Sequence, residues 1–350
     1  MSNKSYRPQL DGVRAFCIIF TVFHHIQNVP WFINGSVGVD VFFSLSGWLI
    51  TWLLLQEKER NGYVNVGAFY IRRICRIMPM YYLTILIYAV LALAVAGHDP
   101  EKLESFRFAA PYLLTFNSEY RPPGGGPIFA HAWTLGIEEK FYLVWPMAVV
   151  FLPRHRAVTM IVLACLLTVV LSFAVSLEDL IRGYFGLGFG TVLALTVRRN
   201  QRLMDWLRVA APAFPLFIAL VTVYTLSVLY PVPLWWNLMI SALSGLMIAS
   251  IWFNQTQAVS TFLRLKPLPF LGSLTYVIYL LQALAINAAL VLFRKFHIPE
   301  HWLLVFVASY ALSILLGYAA HRLIEEPFIQ LGRRLSRKAT TTSSESAMAG

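Results

Sequence analysis

Charged residues are scarce in this sequence. Asp, Glu, Lys and Arg make up 13% of its 350 residues, whereas a soluble domain contains about 25%. Hydrophobic residues account for 58%, the mean hydropathy is +0.64, and the chain has no long hydrophilic block. A run of about 20 apolar residues crosses the hydrocarbon core as a helix, so these values predict an all-α polytopic membrane protein and not a soluble domain.

Cysteines and cofactor-binding motifs are also few. Cys17, Cys75 and Cys165 lie far apart, without the spacing of a zinc site or a disulfide framework. The chain lacks HExxH and CxxC, and GLGFG at 186–190 lacks the context of a dinucleotide or Walker loop. We therefore predict no metal site and no nucleotide hydrolysis. The first apolar run lacks a small-residue cleavage site after a short core, which predicts a retained helix.

Apolar runs recur along the whole chain and predict about ten transmembrane helices, joined by short polar links. They lie near residues 10–29, 37–55, 77–97, 132–152, 157–176, 180–197, 212–230, 234–253, 269–292 and 302–324.

The net charge of +11 is concentrated in alternate links between these runs. With the N-terminus in the cytoplasm, 21 of the 28 Lys and Arg fall in inside segments. Because cytoplasmic loops carry an excess of Lys and Arg, both termini are predicted to be cytoplasmic. Membrane topology thus accounts for the charge, and no nucleic-acid partner is expected. Residues 1–335 are predicted to form the transmembrane domain, and residues 336–350, small and polar, a disordered cytoplasmic tail.

The longest outer link runs from about His98 to His131 and contains EYRPPGGGP. Proline and clustered glycine exclude regular structure there. Two interpretations stay open: a loop that closes over a site from the outer face, and an ordinary surface loop.

Ionisable residues inside a span cost roughly 2.5 to 3.5 kcal/mol each on insertion scales, so they are functional candidates. Arg14 and His25 are eleven residues apart, within about 20° on one helical face and about 16 Å apart along the axis. His24 points about 100° away from His25. A neutral imidazole accepts a proton from an attacking hydroxyl near neutral pH, which makes His25 a candidate general base. The alternative is a histidine that is hydrogen-bonded between helices for packing.

Asp40 opens the second span, and Arg14 and His25 are the nearest candidates in sequence to pair with it. Ser46, which precedes Gly47, is a weaker candidate as an acyl-carrying nucleophile, because a Ser-Gly pair in a helix more often marks close helix packing.

His131 and Glu138 lie seven residues apart at the start of the fourth span, so they are predicted to share a helical face. Trp133 suits an interfacial aromatic belt. Glu138, Glu139 and Lys140 can partly neutralise one another, so a structural ion pair and a catalytic role both stay open for the carboxylates.

His321 and Glu325 lie one turn apart near the end of the last span, where Pro327 is predicted to stop the helix. Glu325 would then meet a donor that arrives from the cytoplasm. The alternative is a solvated helix end.

Arg72, Arg73 and Arg76 form a basic cluster against the cytoplasmic side of the membrane. Such a cluster is typical of a topology signal or a lipid-headgroup contact. Guanidinium groups also pair well with phosphate oxygens, so the phosphates of coenzyme A are the second interpretation.

Six segments share an order and spacing that cover nearly the whole chain. They are LDGVRAF leading to His25, VGVDVFFSLSGWLIT, RRICRIMPMYYL, HAWTLGIEEKFYLVWP, LGSLTYVIYLLQ and the closing IEEPF. In these segments the sequence resembles the acyltransferase-3 family of membrane O-acyltransferases, which includes bacterial enzymes that acetylate surface polysaccharides, lipopolysaccharide O-antigens and nodulation factors.

The resemblance implies an acyl-CoA donor, usually acetyl-CoA, and a hydroxyl acceptor on a carbohydrate or glycolipid. It implies an active centre with Arg14 and His25, and a contribution from Glu325 near the cytoplasmic mouth. The donor-side residues that it implies are Arg72, Arg73 and Arg76. To the catalytic set we add Asp40.

The acceptor is predicted to contact His131, Trp133 and Glu138. Gln282 stands where many members of the family have histidine, and an amide cannot shuttle a proton, so no catalytic role is predicted for it. The esterase-like domain that some members carry after the last span is also missing from this sequence.

The sequence therefore predicts a membrane O-acyltransferase in the bacterial inner membrane, which moves an acetyl group from cytoplasmic acetyl-CoA to a cell-surface glycan. Two alternatives stay open. One is a transporter or flippase of a glycan or lipid intermediate, in which buried charges mark the substrate path. The other is an O-acyltransferase that acts on an intracellular small-molecule natural product.

Overall fold

A computed structural model of the chain describes residues 6–30, 35–122, 126, 128–174, 178–209, 212–230 and 233–348. Throughout these residues the regular structure is helical, and no strand occurs in them. The helices are α1 (Pro8–His24), α2 (Val37–Asn61), α3 (Val66–Val95), α4 (Pro100–Leu114), α5 (Trp133–Phe151), α6 (Arg154–Ala174), α7 (Glu178–Val197), α8 (Gln201–Val209), α9 (Ala213–Leu229), α10 (Pro233–Phe253), α11 (Ala258–Leu263), α12 (Pro267–Lys295), α13 (Trp302–Ala320) and α14 (Glu326–Met348). Two 3₁₀ turns (Ser118–Tyr120 and Ala130–Ala132) precede α5, and a π-helical turn (His321–Glu325) joins α13 to α14.

The prediction of an all-α membrane protein is confirmed. Each of the ten predicted spans coincides with one of these helices. Within the described residues, six helical stretches are long and apolar enough to cross a bilayer: 37–61, 66–95, 180–197, 234–253, 267–295 and 302–337. A seventh is added if the pair formed by 201–208 and 213–229, bent by 86°, counts as one span. The number of ten spans and the cytoplasmic side of both termini stay predictions.

Helix α3 begins earlier than predicted. It starts at Val66, where the Asn65 side chain accepts a hydrogen bond of 2.8 Å from the Ala68 N–H. This cap places Arg72, Arg73 and Arg76 on the first three turns of the helix, not in a link before it.

The outer link between His98 and His131 contains a helix that was not predicted, ahead of the segment EYRPPGGGP. Helix α4 occupies its first half: Asp99 caps it by accepting from the Lys102 N–H at 3.4 Å, and Pro100 is its first residue. Pro123, Gly124, Gly125 and Pro127 lie outside the described residues. At the other end of the chain α14 runs to Met348, through the segment predicted to be a disordered tail. The domain division at residue 335 stays a prediction.

Helix α1 is held between neighbours by close backbone contacts. A Cβ atom at Gly272 of α12 would overlap the carbonyl oxygen of Asp11, and one at Gly12 would overlap the carbonyl oxygen of Leu263. Small residues let membrane helices approach in this way. On the same side Ile18 and Val22 are fully buried in a core shared with α12, so the position of α1 along the bundle is fixed.

Candidate active site

His25 lies directly after α1 and has an exposed side chain. Its Nδ1 lies 2.8 Å from the carbonyl oxygen of Thr21. Because a carbonyl oxygen can only accept, Nδ1 carries the proton of the neutral ring and Nε2 keeps its lone pair. The neutral ring can therefore accept a proton at Nε2, and the catalytic role of His25 stays a prediction.

A second histidine faces His25. The ring centroids of His25 and His131 are 5.7 Å apart, and the rings are nearly perpendicular at 76°. His131 is buried and packs against Phe129 at 4.9 Å and Tyr279 at 5.2 Å. The Tyr279 hydroxyl donates to the backbone carbonyl of His131 at 2.6 Å. Among the described residues, Nε2 of His131 has no hydrogen-bond partner, so a polar group that enters beside His25 can bond to it.

The prediction that His131 and Glu138 share a helical face is wrong. His131 lies in the 3₁₀ turn Ala130–Ala132, before α5 begins, so the periodicity of an α-helix does not apply to the pair. Glu138 instead accepts a hydrogen bond from Ser46 of α2 at 2.6 Å. Trp133 is half-buried, with its ring centroid 5.8 Å from that of the buried Phe43, and its place in an interfacial aromatic belt stays a prediction.

Lys140 was expected to neutralise the neighbouring carboxylates of α5 in part, but its ion-pair partner is a different residue. It forms an ion pair with Glu119 of the outer segment and donates to the carbonyl of Phe116 at 2.6 Å. Burial raises the pKa of Glu119, while the Lys140 ammonium group opposes this rise. Lys140 therefore ties the outer segment to α5, and Glu138 and Glu139 remain available to the interior.

Asp40 and Arg14 form ion pairs with residues other than the predicted ones. Arg182 of α7 binds both carboxylate oxygens of Asp40, at 3.2 and 2.9 Å, and also donates to Ser36. Arg14 pairs with Asp11, one turn earlier in α1. Neither Asp40 nor Arg14 contacts His25, because their helices turn these side chains toward nearer groups of opposite charge. Asp40 thus joins α2 to α7.

The last predicted acid, Glu325, is buried in the π-helical turn, with an exposed fraction of 1%. His321 Nδ1 lies 2.6 Å from its Oε2, as the spacing predicted, and its Oε1 has no partner among the described residues. Pro327 does not stop the helix. It falls in the first turn of α14, where a missing N–H is tolerated, so the wider π turn continues directly into α14.

A cavity of about 250 Å³ opens beside α2, α3 and α14. Its polar lining consists of four arginines and one carboxylate: Arg72, Arg73, Arg76, Arg333 and Glu57. The fourth arginine lies on α14 and was not predicted. Glu57 lies 4.0 Å from Arg72, so most of the positive charge in this basic cavity is not paired within it.

A polar cluster leads inward from the basic cavity. Arg76 interacts electrostatically with Arg14 and Glu325, and the Arg73 guanidinium lies 4.6 Å from the ring centroid of Tyr142. Tyr142 in turn interacts with Glu138. The predicted residues thus form two groups: the arginines, Arg14, Glu138 and Glu325 near the basic cavity, and His25 with His131 about 16 Å further along α1.

Comparison with known proteins identifies one family profile and several relatives. A sequence profile described as an acyltransferase domain (Acyl_transf_3) matches residues 7–322. The O-acetyltransferase OatA of Staphylococcus aureus is 26% identical over 95% of this chain and 58% of its own length. A putative peptidoglycan O-acetyltransferase of Bacillus subtilis, YrhL, is 32% identical over 79% of this chain and 48% of its own.

The peptidoglycan O-acetyltransferase OatA of Listeria monocytogenes is 37% identical over 41% of this chain and 24% of its own length. The chain therefore spans between about a quarter and three fifths of these curated relatives. No solved structure matches it.

Proposed function

The chain belongs to the acyltransferase-3 family, and on that premise we propose that it is a membrane O-acyltransferase. It moves an acetyl group from acetyl-CoA to a hydroxyl of a cell-surface glycan. The relatives are named for O-acetylation, two of them for peptidoglycan, which makes a peptidoglycan-type sugar the first acceptor to test.

The basic cavity supports acyl-CoA as the donor. Coenzyme A carries its negative charge on phosphates, and guanidinium groups form paired hydrogen bonds with phosphate oxygens. Three of the four arginines lie on one helix, α3, and the fourth enters from α14, so they approach the cavity from two sides. Arg76 extends the positive charge of the cavity toward the Arg14–Asp11 ion pair, on the side from which the thioester would approach His25.

The chemistry rests on one observation, the bond between Nδ1 of His25 and the carbonyl oxygen of Thr21. It leaves Nε2 as the base that removes the acceptor hydroxyl proton while the oxygen attacks the thioester carbonyl carbon. The carbon–sulfur bond then breaks, and the coenzyme A thiolate takes the proton from the imidazolium. His131 is positioned to orient the acceptor hydroxyl. Arg14 lies too far along α1 to contact the reacting carbonyl, so it belongs to the donor path.

Adjacent histidines provide a matched pair of variants. His25→Ala should lower acetyl transfer at least 100-fold, because general-base catalysis contributes about 10² to 10⁴. His24→Ala, which removes an exposed imidazole one position away, should leave most of the activity. Purified full-length protein would be given acetyl-CoA with and without a muropeptide, and both free coenzyme A thiol and acetylated muropeptide would be measured.

The same assay separates the enzyme from a transporter. Acceptor-dependent release of coenzyme A, lost in His25→Ala and kept in His24→Ala, supports acyl transfer. Equal activity of the two variants would remove His25 from the chemistry. Binding of the muropeptide without any release of thiol would favour a transporter.

A further inference from the structure

A second and larger cavity lies apart from these residues. It is an apolar groove of about 660 Å³ between α1, α2, α9, α10 and α11, and it shares no lining residue with the basic cavity. Its walls include the exposed side chains of Phe214, Val221 and Phe262. Because the chain spans a membrane, exposed apolar walls of this kind face lipid. The groove is therefore open sideways to hydrocarbon chains.

One end of the apolar groove is basic. Ile251 lines the groove, and its carbonyl oxygen accepts from the Gln9 amide at 3.5 Å. Gln9 accepts in turn from Arg264 Nε at 3.3 Å. Arg7 lies next to this pair, with its guanidinium carbon 5.3 Å from the ring centroid of Trp252. Two guanidinium groups thus meet where α1, α10 and α11 converge.

These two arginines have unused donors. Nε of Arg7 and Nη2 of Arg264 are buried without a hydrogen-bond partner, and neither arginine forms an ion pair within the described part of the chain. Burial, and then the charge of Arg264, lower the pKa of Arg7. Buried donors without partners and two adjacent like charges are unfavourable until an anion binds. Lys266, exposed two residues after Arg264, adds a third positive charge.

We propose that this groove binds an anionic phospholipid of the surrounding bilayer. The phosphate accepts hydrogen bonds from Arg7 and Arg264, and an acyl chain lies in the apolar groove between α1 and α9. Both halves of the ligand are needed. A free phosphate would leave the groove empty, and a zwitterionic lipid would bring no net negative charge to the two guanidinium groups, because its choline cation offsets its phosphate.

Native mass spectrometry of the full-length protein in detergent tests this site, with phosphatidylglycerol and phosphatidylcholine of identical acyl chains as probes. The variant Arg7→Gln/Arg264→Gln removes the basic end. Its control, Arg60→Gln/Arg156→Gln, removes two exposed arginines that lie outside the groove. A further variant, Val221→Trp, keeps both arginines and narrows the groove.

The arginine variant should bind phosphatidylglycerol about 25-fold more weakly, because each arginine near the membrane surface contributes about fivefold. Its binding of phosphatidylcholine should fall much less, because the choline cation offsets the phosphate charge. Its control should match the unmodified protein, and Val221→Trp should weaken both lipids. Equal phosphatidylglycerol binding by the arginine variant and its control would overturn the proposal. So would displacement of the lipid by inorganic phosphate alone, or unaltered binding of both lipids by Val221→Trp.

Discussion

Replacing Arg333 by Gln removes one of the four guanidinium groups that line the basic cavity. If this cavity holds the phosphates of acetyl-CoA, as the proposed function requires, the donor loses one charge-assisted contact. Such a hydrogen bond contributes about 1.5 to 3 kcal/mol when it is buried. Arg333 is exposed, so solvent screening reduces this to about 1 kcal/mol. The KM for acetyl-CoA should therefore rise about fivefold, and kcat should stay nearly unchanged.

The neighbouring arginine is the control. Arg334 follows Arg333 on α14. It is also exposed, and it does not line the cavity. Initial rates would be measured against acetyl-CoA at saturating acceptor for both variants. Arg334→Gln should keep the KM of the unmodified protein, because both variants change the net charge equally and only Arg333 can reach the phosphates.

A truncated donor makes this test sharper. S-acetyl-pantetheine has the thioester but no nucleotide phosphates, so the difference between Arg333→Gln and Arg334→Gln should vanish with it. A difference that persists with this donor would refute a phosphate contact, and so would equal KM values of the two variants with acetyl-CoA. A loss confined to kcat would place Arg333 in another role.

Two further predictions concern the bundle that positions the site. Gly272→Ala should destabilise the protein by about 3 kcal/mol, because the new methyl group would overlap the carbonyl oxygen of Asp11. Gly97→Ala is the control: a Cβ atom there meets nothing within 4 Å, so the thermal unfolding midpoint should stay unchanged. Asp40→Asn should cost about 3 to 5 kcal/mol, since it leaves Arg182 partly buried without its counter-ion. Adding Arg182→Gln should restore part of that loss in a thermal unfolding assay, and a double variant as unstable as Asp40→Asn would show that the pair is not coupled.

The helices were the part of the structure that the sequence predicted well. A run of about 20 apolar residues has few alternatives to a helix in a membrane, because every backbone polar group must be bonded within the segment. Shorter helices were not predicted, because they lack an apolar run of this length. Helix α4 could still have been found from Asp99 and Pro100, which together form a helix-start signal. The basic, amphipathic start of α14 gives a weaker signal, because Pro327 suggests a helix end as readily as a first turn.

Side-chain partners were harder to predict than helices. Asp40 pairs with Arg182, which is 142 positions away, so nearness in sequence pointed to the wrong cations. The pairing of His321 with Glu325 was predictable because both lie on one helical turn. His131 was predicted to share a helical face with Glu138, but its ring contacts His25. The prediction failed because it applied the α-helical period to a residue that precedes the start of α5 at Trp133. Local geometry can be predicted from one sequence, and contacts between distant helices cannot.

The separation between the two halves of the site constrains how acyl transfer can occur. Arg76 lies near Arg14, toward the first turns of α1, and His25 lies just beyond the last turn. Under the proposed function, a donor anchored by its phosphates would extend a flexible arm along α1 to bring its thioester to the imidazole. The acceptor does not need to follow the same path, because His25 is exposed at its own end of the helix. Such an arrangement would let donor and acceptor enter from opposite ends of one bundle, as the proposed acetylation of an external glycan by an internal coenzyme requires.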